Sequence, residues 1–351
     1  MALPSRADMK AMAKREAGNV ERYFNRDRGQ FEFMGYLNNG VTGVSCRVRL
    51  RSNGRRRAQQ FVVKRGFRSG GGVQERLEKE RRTLKNFRGA AHTLQLFYPP
   101  RGVRNPIDDA PGQTLVTEWI ENGTLADFVH RNGTKALPNR VLIEFFGCLV
   151  QFCVAMAYPP RGAEREPQRE ERISGRQKSN LAHNDMHCSN IMIGSLNPEC
   201  GGHGLVPQLK LIDFDRASII DSLPGLDYGV ASNIFAIGMV MRSLITGDLM
   251  MEPPPPVAMT IFVNGSSRHV VTRGGDCTTA RHRNLDTDLA SLVMWCLADI
   301  RQRPVLEDLH ASVTTLRRKA TNTARWRNYP LYHFESESEV RRIVQRYILD
   351  A

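Results

Sequence analysis

The feature that most limits the fold is an apolar run near the middle of the chain, residues 145–157 (FFGCLVQFCVAMA). A helix built on it has no polar face, so the rest of the chain must enclose it. The run is too short to cross a bilayer and is flanked by Arg140 and Glu144, which favours a buried core helix over 138–157. Residues 232–240 (SNIFAIGMV) are also apolar nearly all round, and a second central helix is expected there. With 351 residues, 41% apolar and 25% charged, the chain can build two domains with sizeable cores.

The other elements follow from spacing and turn residues. Ser5, Arg6, Ala7 and Asp8 read as a capping box, and Met9, Met12, Ala13, Ala17, Val20 and Phe24 then keep helical spacing. Residues 31–37 and 44–50 read as strands around an Asn38-Asn39-Gly40 turn. Phe61, Val62, Val63 and Lys64 form a third strand, with Val62 and Lys64 on one face. Val73, Leu77, Glu80, Leu84 and Phe87 lie along one helical stripe. Residues 114–120 form an apolar strand leading to a break at Gly123. Residues 159–179 are charged and turn-rich and read as a disordered insertion. Residues 194–207 form another long loop, and 258–273 hold Asn264-Gly265 between β-rich runs, as a hairpin does. Residues 289–297 read as a helix, and Ser336 to Glu339 cap a last one, with Val340, Ile343, Val344, Tyr347 and Ile348 on one face.

Several residues are placed for chemistry. His183-Asn184-Asp185-Met186-His187-Cys188-Ser189-Asn190 runs straight into the apolar Ile191-Met192-Ile193. The Asp185 carboxylate can accept a proton from an attacking hydroxyl, and the Asn190 amide oxygen can ligate a hard divalent cation. Phosphoryl transfer needs such groups, because its chemistry is mostly positioning and charge neutralisation. Asp213 ends another apolar strand, residues 209–212. Lys64, where it faces inward, needs an anion, and Glu80 on a buried stripe needs a cation; each is the natural partner of the other.

These residues, in this order, resemble the protein-kinase-like superfamily over roughly residues 31–316. The octet is similar to the catalytic loop H-R-D-x-x-x-x-N, and Phe61 to Lys64 to V-A-I-K. Glu80 stands as on helix αC, and Asp213-Phe214-Asp215 as in D-F-G. The resemblance implies an α+β, bilobal kinase-like fold: a small N-lobe of antiparallel sheet plus αC, and a larger, mainly helical C-lobe. It divides the chain into an N-terminal helical extension (1–28), N-lobe (29–116), hinge (117–123), C-lobe (124–318, with insertions near 159–180, 194–208 and 250–285) and a helical tail (319–351). It implies an ATP- and Mg²⁺-dependent phosphotransferase with Asp185, Lys64 and Asn190 catalytic and Asn190 and Asp213 holding the metal. Gly40, Gly43, Val62, Lys64, Glu80, Thr117, Glu118 and Ile120 would bind the nucleotide, with Thr117 as gatekeeper and 118–121 as hinge. Arg303-Pro304 matches the late R-P signature.

The departures bear on the substrate. Asn38 and Ser45 stand where the glycine-rich loop has glycine and valine, Asn184 where H-R-D has arginine, and Asp215 where D-F-G has glycine. Asn233 replaces the aspartate of helix αF, and no A-P-E follows Asp213, so Arg303 lacks its usual partner. Without the arginine at Asn184, activation by phosphate on the loop is not expected, and Ser218, Ser222 and Tyr228 are weak regulatory candidates. The intact R-P and hinge favour a protein Ser/Thr hydroxyl as acceptor. His187 and the missing A-P-E favour a small-molecule hydroxyl, as in aminoglycoside or choline kinases. A pseudokinase scaffold is the reading from another class.

A net charge of +14 raises nucleic-acid binding, but no nucleic-acid motif accompanies it, and an arginine-rich solvated surface is preferred. The seven cysteines show no C-x-x-C pairing and read as reduced thiols. The first residues lack an apolar signal core, so a cytoplasmic or nuclear protein without a membrane span is expected.

Overall fold

A computed structural model of the chain describes residues 6–26, 29–39, 43–53, 57–67, 72–100, 103, 114–159, 170–171, 175–199, 202–221 and 225–350. Ser5 of the capping box, Gly40, Ser222 and Cys200 lie outside the described residues. The protein is mixed α and β, and its sheets are small and antiparallel. It divides into two compact units, residues 1–88 with 94–119, and residues 89–93 with 120–351.

Alternation builds the first unit. Val44, Cys46, Val48 and Leu50 of β2 (Gly43–Leu50) are buried, as are Phe61 and Val63 of β3 (Gln59–Gly66). With β1 (Phe31–Asn39) and β4 (Thr114–Glu118) they form one four-stranded sheet in the order β1-β2-β3-β4. Helix α1 (Arg6–Arg26) lays Ala13, Ala17, Val20 and Phe24 on this sheet, and Phe24, Phe31 and Phe61 meet edge to face. The expected N-terminal extension is therefore part of the core, because its apolar stripe has the sheet to cover. The stripe also carries Glu16, which is buried and accepts from Arg65 Nε at 2.8 Å. Arg65 alternates onto the face of Phe61 and Val63, while Lys64 and Val62 take the opposite face. Helix α2 (Val73–Asn86) packs on β3 and β4 and buries Val73, Leu77, Glu80 and Leu84, the stripe read from the sequence.

The second unit is mostly helical. It contains α3 (Leu125–Asn132), α4 (Asn139–Ala157), α5 (Tyr228–Thr246), α6 (Thr287–Cys296), α7 (Leu306–Ala320) and α8 (Glu337–Val344). Short strand pairs accompany them: β5 (Leu181–Ala182) with β8 (Ser218–Ile219), and β6 (Ile191–Ile193) with β7 (Leu209–Leu211). Strands β9 (Val257–Val263) and β10 (Ser266–Thr272) make the hairpin expected at Asn264-Gly265, and both turn residues have the positive φ such a turn needs (52° and 78°).

By length and composition α4 and α5 could each cross a membrane, but both are largely buried within this unit. Pro138 gives α4 no side-chain cap. Glu335, from the segment expected as a tail, supplies one: its carboxylate accepts from Asn139 N at 2.7 Å and Arg140 N at 3.0 Å. Trp326, Val340, Val344 and Ile348 of the same segment are buried, so it contributes to this unit's core.

Candidate active site

The chemistry of the second unit centres on the loop between β5 and β6. It is short because a single 3-10 turn, Cys188–Asn190, closes it, with His187 Nδ1 accepting from Ser189 N. Asn184 adopts the left-handed conformation (φ 63°), which asparagine tolerates better than most residues. Its amide donates to Arg216 O and Ser218 Oγ, tying the loop to the segment after Asp213.

Two buried side chains hold the loop backbone. Asn233 of α5 accepts from His183 N at 3.0 Å and donates to Leu181 O at 2.8 Å. Burial pushes His183 down to about 4, so its ring is neutral. Its contacts fix the tautomer: Nε2–H donates to Ile212 O at 3.1 Å, and Nδ1 accepts from Asp185 N at 3.3 Å. The ring also packs edge to face on Phe214. One imidazole thus links the residue before Asp213 to the backbone of Asp185.

The Asp185 carboxylate is partly exposed and flanked by donors. Asn190 Nδ2 donates to Asp185 O at 2.8 Å and to its Oδ2 at 3.2 Å, and Arg216 Nη1 lies 3.4 Å from Oδ1. His187 Nε2 stands 3.9 Å from Oδ1. Asn190 and Asp213 leave the same end of the β6–β7 pair, which continues as Ile212 N donates to Asn190 O. The amide oxygen of Asn190 and the carboxylate of Asp213 are hard donors of the kind Mg²⁺ takes. Asp213 holds φ 64°, whereas Asp215 lies in the 3-10 turn Phe214–Arg216 and has no positive φ. Glycine's freedom is therefore not needed at Asp215, and the strained position falls on Asp213 itself.

In the first unit, Lys64 Nζ donates to Glu80 Oε2 at 2.8 Å, with Glu80 2% exposed. The pair forms because strand alternation turns Lys64 toward α2 and the helical stripe turns Glu80 toward β3. Val62 pairs with Thr117, and Lys64 with Leu115, so these four side chains share one face of the sheet. Glu118 Oε1 accepts from Gln95 N at 2.9 Å. Gly43 has a structural reason to be glycine: a Cβ there would lie 2.2 Å from the Arg65 carbonyl oxygen. Trp119 ends the first unit and the buried Ile120 begins the second piece of the other.

Sequence reasoning missed two contributors, Arg216 and Asn180, and left the partner of Arg303 open. Arg216 carries no pattern of its own and is seen only by its approach to Asp185. Asn180 caps α5 from outside, accepting from Gly229 N and donating to Ile220 O. Arg303 reaches carbonyls in place of a carboxylate, donating to Ala298 O and Ala231 O, with its guanidinium over the Phe235 ring at 4.5 Å. No protein-family model matches this chain, and no curated protein matches it either.

Proposed function

We propose that the chain is an ATP- and Mg²⁺-dependent phosphotransferase with a bilobal, protein-kinase-like fold, passing the γ-phosphoryl group to a hydroxyl. The observation that carries the reading is the Asp185 carboxylate, held by the Asn190 amide on a loop pinned through His183 and Asn233. Catalysis of this class is chiefly positioning. A loop fixed by its backbone, presenting one carboxylate and one amide, supplies that.

Asp185 accepts or steers the proton of the attacking hydroxyl. Lys64 neutralises the α- and β-phosphates, and Glu80 holds it in one rotamer. Asn190 and Asp213 would hold Mg²⁺, which would supply charge neutralisation at the phosphates. Gly40, Gly43, Val62, Thr117, Glu118 and Ile120 receive the rest of the nucleotide. Arg216, 3.4 Å from Asp185 Oδ1, adds a positive charge beside that carboxylate.

A protein Ser or Thr is the acceptor we favour. A small-molecule hydroxyl is the second reading, supported by the segment after Asp213. Among its described residues that segment forms a 3-10 turn and the two-residue β8 before α5 begins at Tyr228, a small platform for a peptide.

The test is thermal unfolding with ATP, with and without Mg²⁺, on the wild type and Asp213→Asn. Saturation a hundredfold above Kd adds ~2.7 kcal/mol to the folded state. A Mg²⁺-dependent rise in Tm that the variant loses supports the reading. Transfer from labelled ATP to peptide and small-hydroxyl panels, abolished in Asp185→Asn, would then identify the acceptor class. No rise under any condition would leave a binding scaffold without turnover.

A further inference from the structure

Away from these residues, the second unit buries a cluster that the proposed reaction does not use. His92 comes from residues 89–93, Cys148 from the middle of α4, and His203 from the long loop between β6 and β7. All three are buried, and their ligand atoms lie within 4.8 Å of one another. His92 Nε2 stands 3.3 Å from His203 Nε2, and Cys148 Sγ stands 3.8 Å from the same nitrogen.

The outer nitrogens decide what the inner ones can be. His92 Nδ1 faces Glu170 Oε2 at 2.5 Å, and His203 Nδ1 faces Val206 O at 3.3 Å. A carbonyl can only accept, and an ionised carboxylate can only accept, so each Nδ1 carries the proton. In the neutral rings both Nε2 atoms then present lone pairs to each other across 3.3 Å of dry interior. A cation between them turns that repulsion into two bonds. This is also the outer-sphere pattern of metal-bound histidine, with one ring backed by a carboxylate and the other by a backbone carbonyl.

We propose that His92, Cys148 and His203 form a structural zinc site, with Glu170 orienting His92. Zinc–nitrogen bonds of about 2.0–2.1 Å and a zinc–sulfur bond of about 2.3 Å, at tetrahedral angles, put nitrogens about 3.4 Å apart and nitrogen from sulfur about 3.6 Å. The 3.3 and 3.8 Å separations at His203 match two of these edges, and the third, between His92 and Cys148, lies within 4.8 Å. The charges also close: one thiolate and the Glu170 carboxylate balance one divalent ion, so the buried centre is neutral. Three donors take three corners of the tetrahedron, and the fourth is left to water or a further donor. Cys200, three residues before His203 in the sequence, lies outside the described residues and is not counted among the donors.

A proton is the competitor for the central position. A proton bonds to at most two of the three ligand atoms, whereas zinc bonds to all three side chains.

The site gives a purpose to two loops. Glu170 belongs to the insertion ahead of the catalytic loop, and His203 to the one after it. The anchor is close to the proposed phosphotransfer residues: Leu211 N of β7 donates to His92 O at 2.9 Å, and Thr93 bridges Leu211. A zinc ion here would clamp both loops to α4 behind the strand that leads to Asp213.

The experiment uses the full, untagged chain. Metal content is measured on the purified protein, and chelator-treated protein is titrated with Zn²⁺ and with Co²⁺. The expected result is about one zinc per chain, a thiolate-to-cobalt charge-transfer band on Co²⁺ binding, and a Tm that falls with chelator and returns with Zn²⁺. Cys148→Ser should lose the charge-transfer band, and Glu170→Gln should weaken zinc binding about 10- to 100-fold. Should either variant fail to fold, the cobalt spectrum and chelator response of the wild type still decide. Purified protein without zinc, showing no charge-transfer band and a Tm indifferent to both chelator and Zn²⁺, would overturn the proposal and leave a proton-bridged cluster.

Discussion

Replacing Arg65 with methionine tests whether α1 is bound to the sheet by charge as well as by apolar contact. Arg65 and Glu16 have side chains only 3% and 1% exposed, and they meet at 2.8 Å. Removing the guanidinium strands a carboxylate whose remaining partners are Asn19 Nδ2 at 3.0 Å and the mostly exposed Arg15 at 3.5 Å. Breaking one side of a buried pair costs ~3–5 kcal/mol, and the two residual partners place this case near ~3. Glu16→Leu, which strands a guanidinium that cannot lose its charge, should cost at least as much. The double variant Glu16→Leu with Arg65→Met removes both charges and fills the space with apolar atoms, so its loss should be ~1 kcal/mol or less.

The assay is a double-mutant cycle by urea and thermal unfolding, with hydrogen exchange of β2 and β3 amides to locate the effect. A coupling of several kcal/mol is expected, with single-variant Tm losses of roughly 1–2 °C per kcal/mol for a chain of 351 residues. Singles that lose less than ~1 kcal/mol, or a double variant that loses the sum of the two, would refute the reasoning.

Acid gives an independent reading of the same pair. Burial alone would raise Glu16, but hydrogen bonds from Asn19 and Arg65 and the charges of Arg65 and Arg15 outweigh it and hold its pKa below 4.5. The stabilisation is therefore present above the unfolded value and is lost as pH falls through the lower folded value. The Arg65→Met variant should lose less stability than the wild type over that acid range.

Three further outcomes follow from single sites. Gly43→Ala sets a Cβ 2.2 Å from Arg65 O, so β2 and β3 must separate; a loss of ~1–3 kcal/mol should be seen by calorimetry even without nucleotide. Glu335→Ala removes the acceptor for two N–H groups at the start of α4 and should cost ~1–3 kcal/mol in urea unfolding, whereas Glu335→Gln should recover part of it. His183 is neutral in the fold with a pKa near 4 and protonates near 6.5 when unfolded, so stability should be full above pH 6.5 and fall by up to ~3 kcal/mol toward pH 4; His183→Gln should flatten that part of the pH profile.

What the sequence discloses depends on whether a contact is made within one periodic element or between distant ones. Glu80 was legible because a carboxylate on the stripe of Leu77 and Leu84 has to find a cation, and Lys64, ending the neighbouring apolar strand, was the natural one. The β9–β10 hairpin was legible because Asn-Gly has few other uses. Glu16 breaks its own stripe in the same way as Glu80, but its partner Arg65 directly follows Lys64, and only the strand's alternation separates their faces. The zinc-site donors were illegible for a different reason. His92, Cys148 and His203 share no local spacing, and Glu170 reads as one more charge in a charged insertion until the fold brings it to His92.

Asn233 shows how a departure from a pattern can follow from hydrogen-bond arithmetic rather than lost function. The kinase-like reading expects an aspartate there, and a carboxylate can only accept. At this position the side chain is buried and faces one donor, His183 N, and one acceptor, Leu181 O. An asparagine satisfies both; an aspartate would satisfy His183 N and set its second oxygen against the Leu181 carbonyl. Asn233→Asp should therefore destabilise the second unit by ~1–3 kcal/mol, the range for a buried acceptor left without its donor. The loss should shrink as acid protonates the new carboxyl and restores a donor toward Leu181 O. Urea unfolding of wild type and Asn233→Asp across pH measures this directly. A variant as stable as wild type at neutral pH would mean that the loop is held by His183 alone, and the change at Asn233 would again count as a mark of a site released from catalysis.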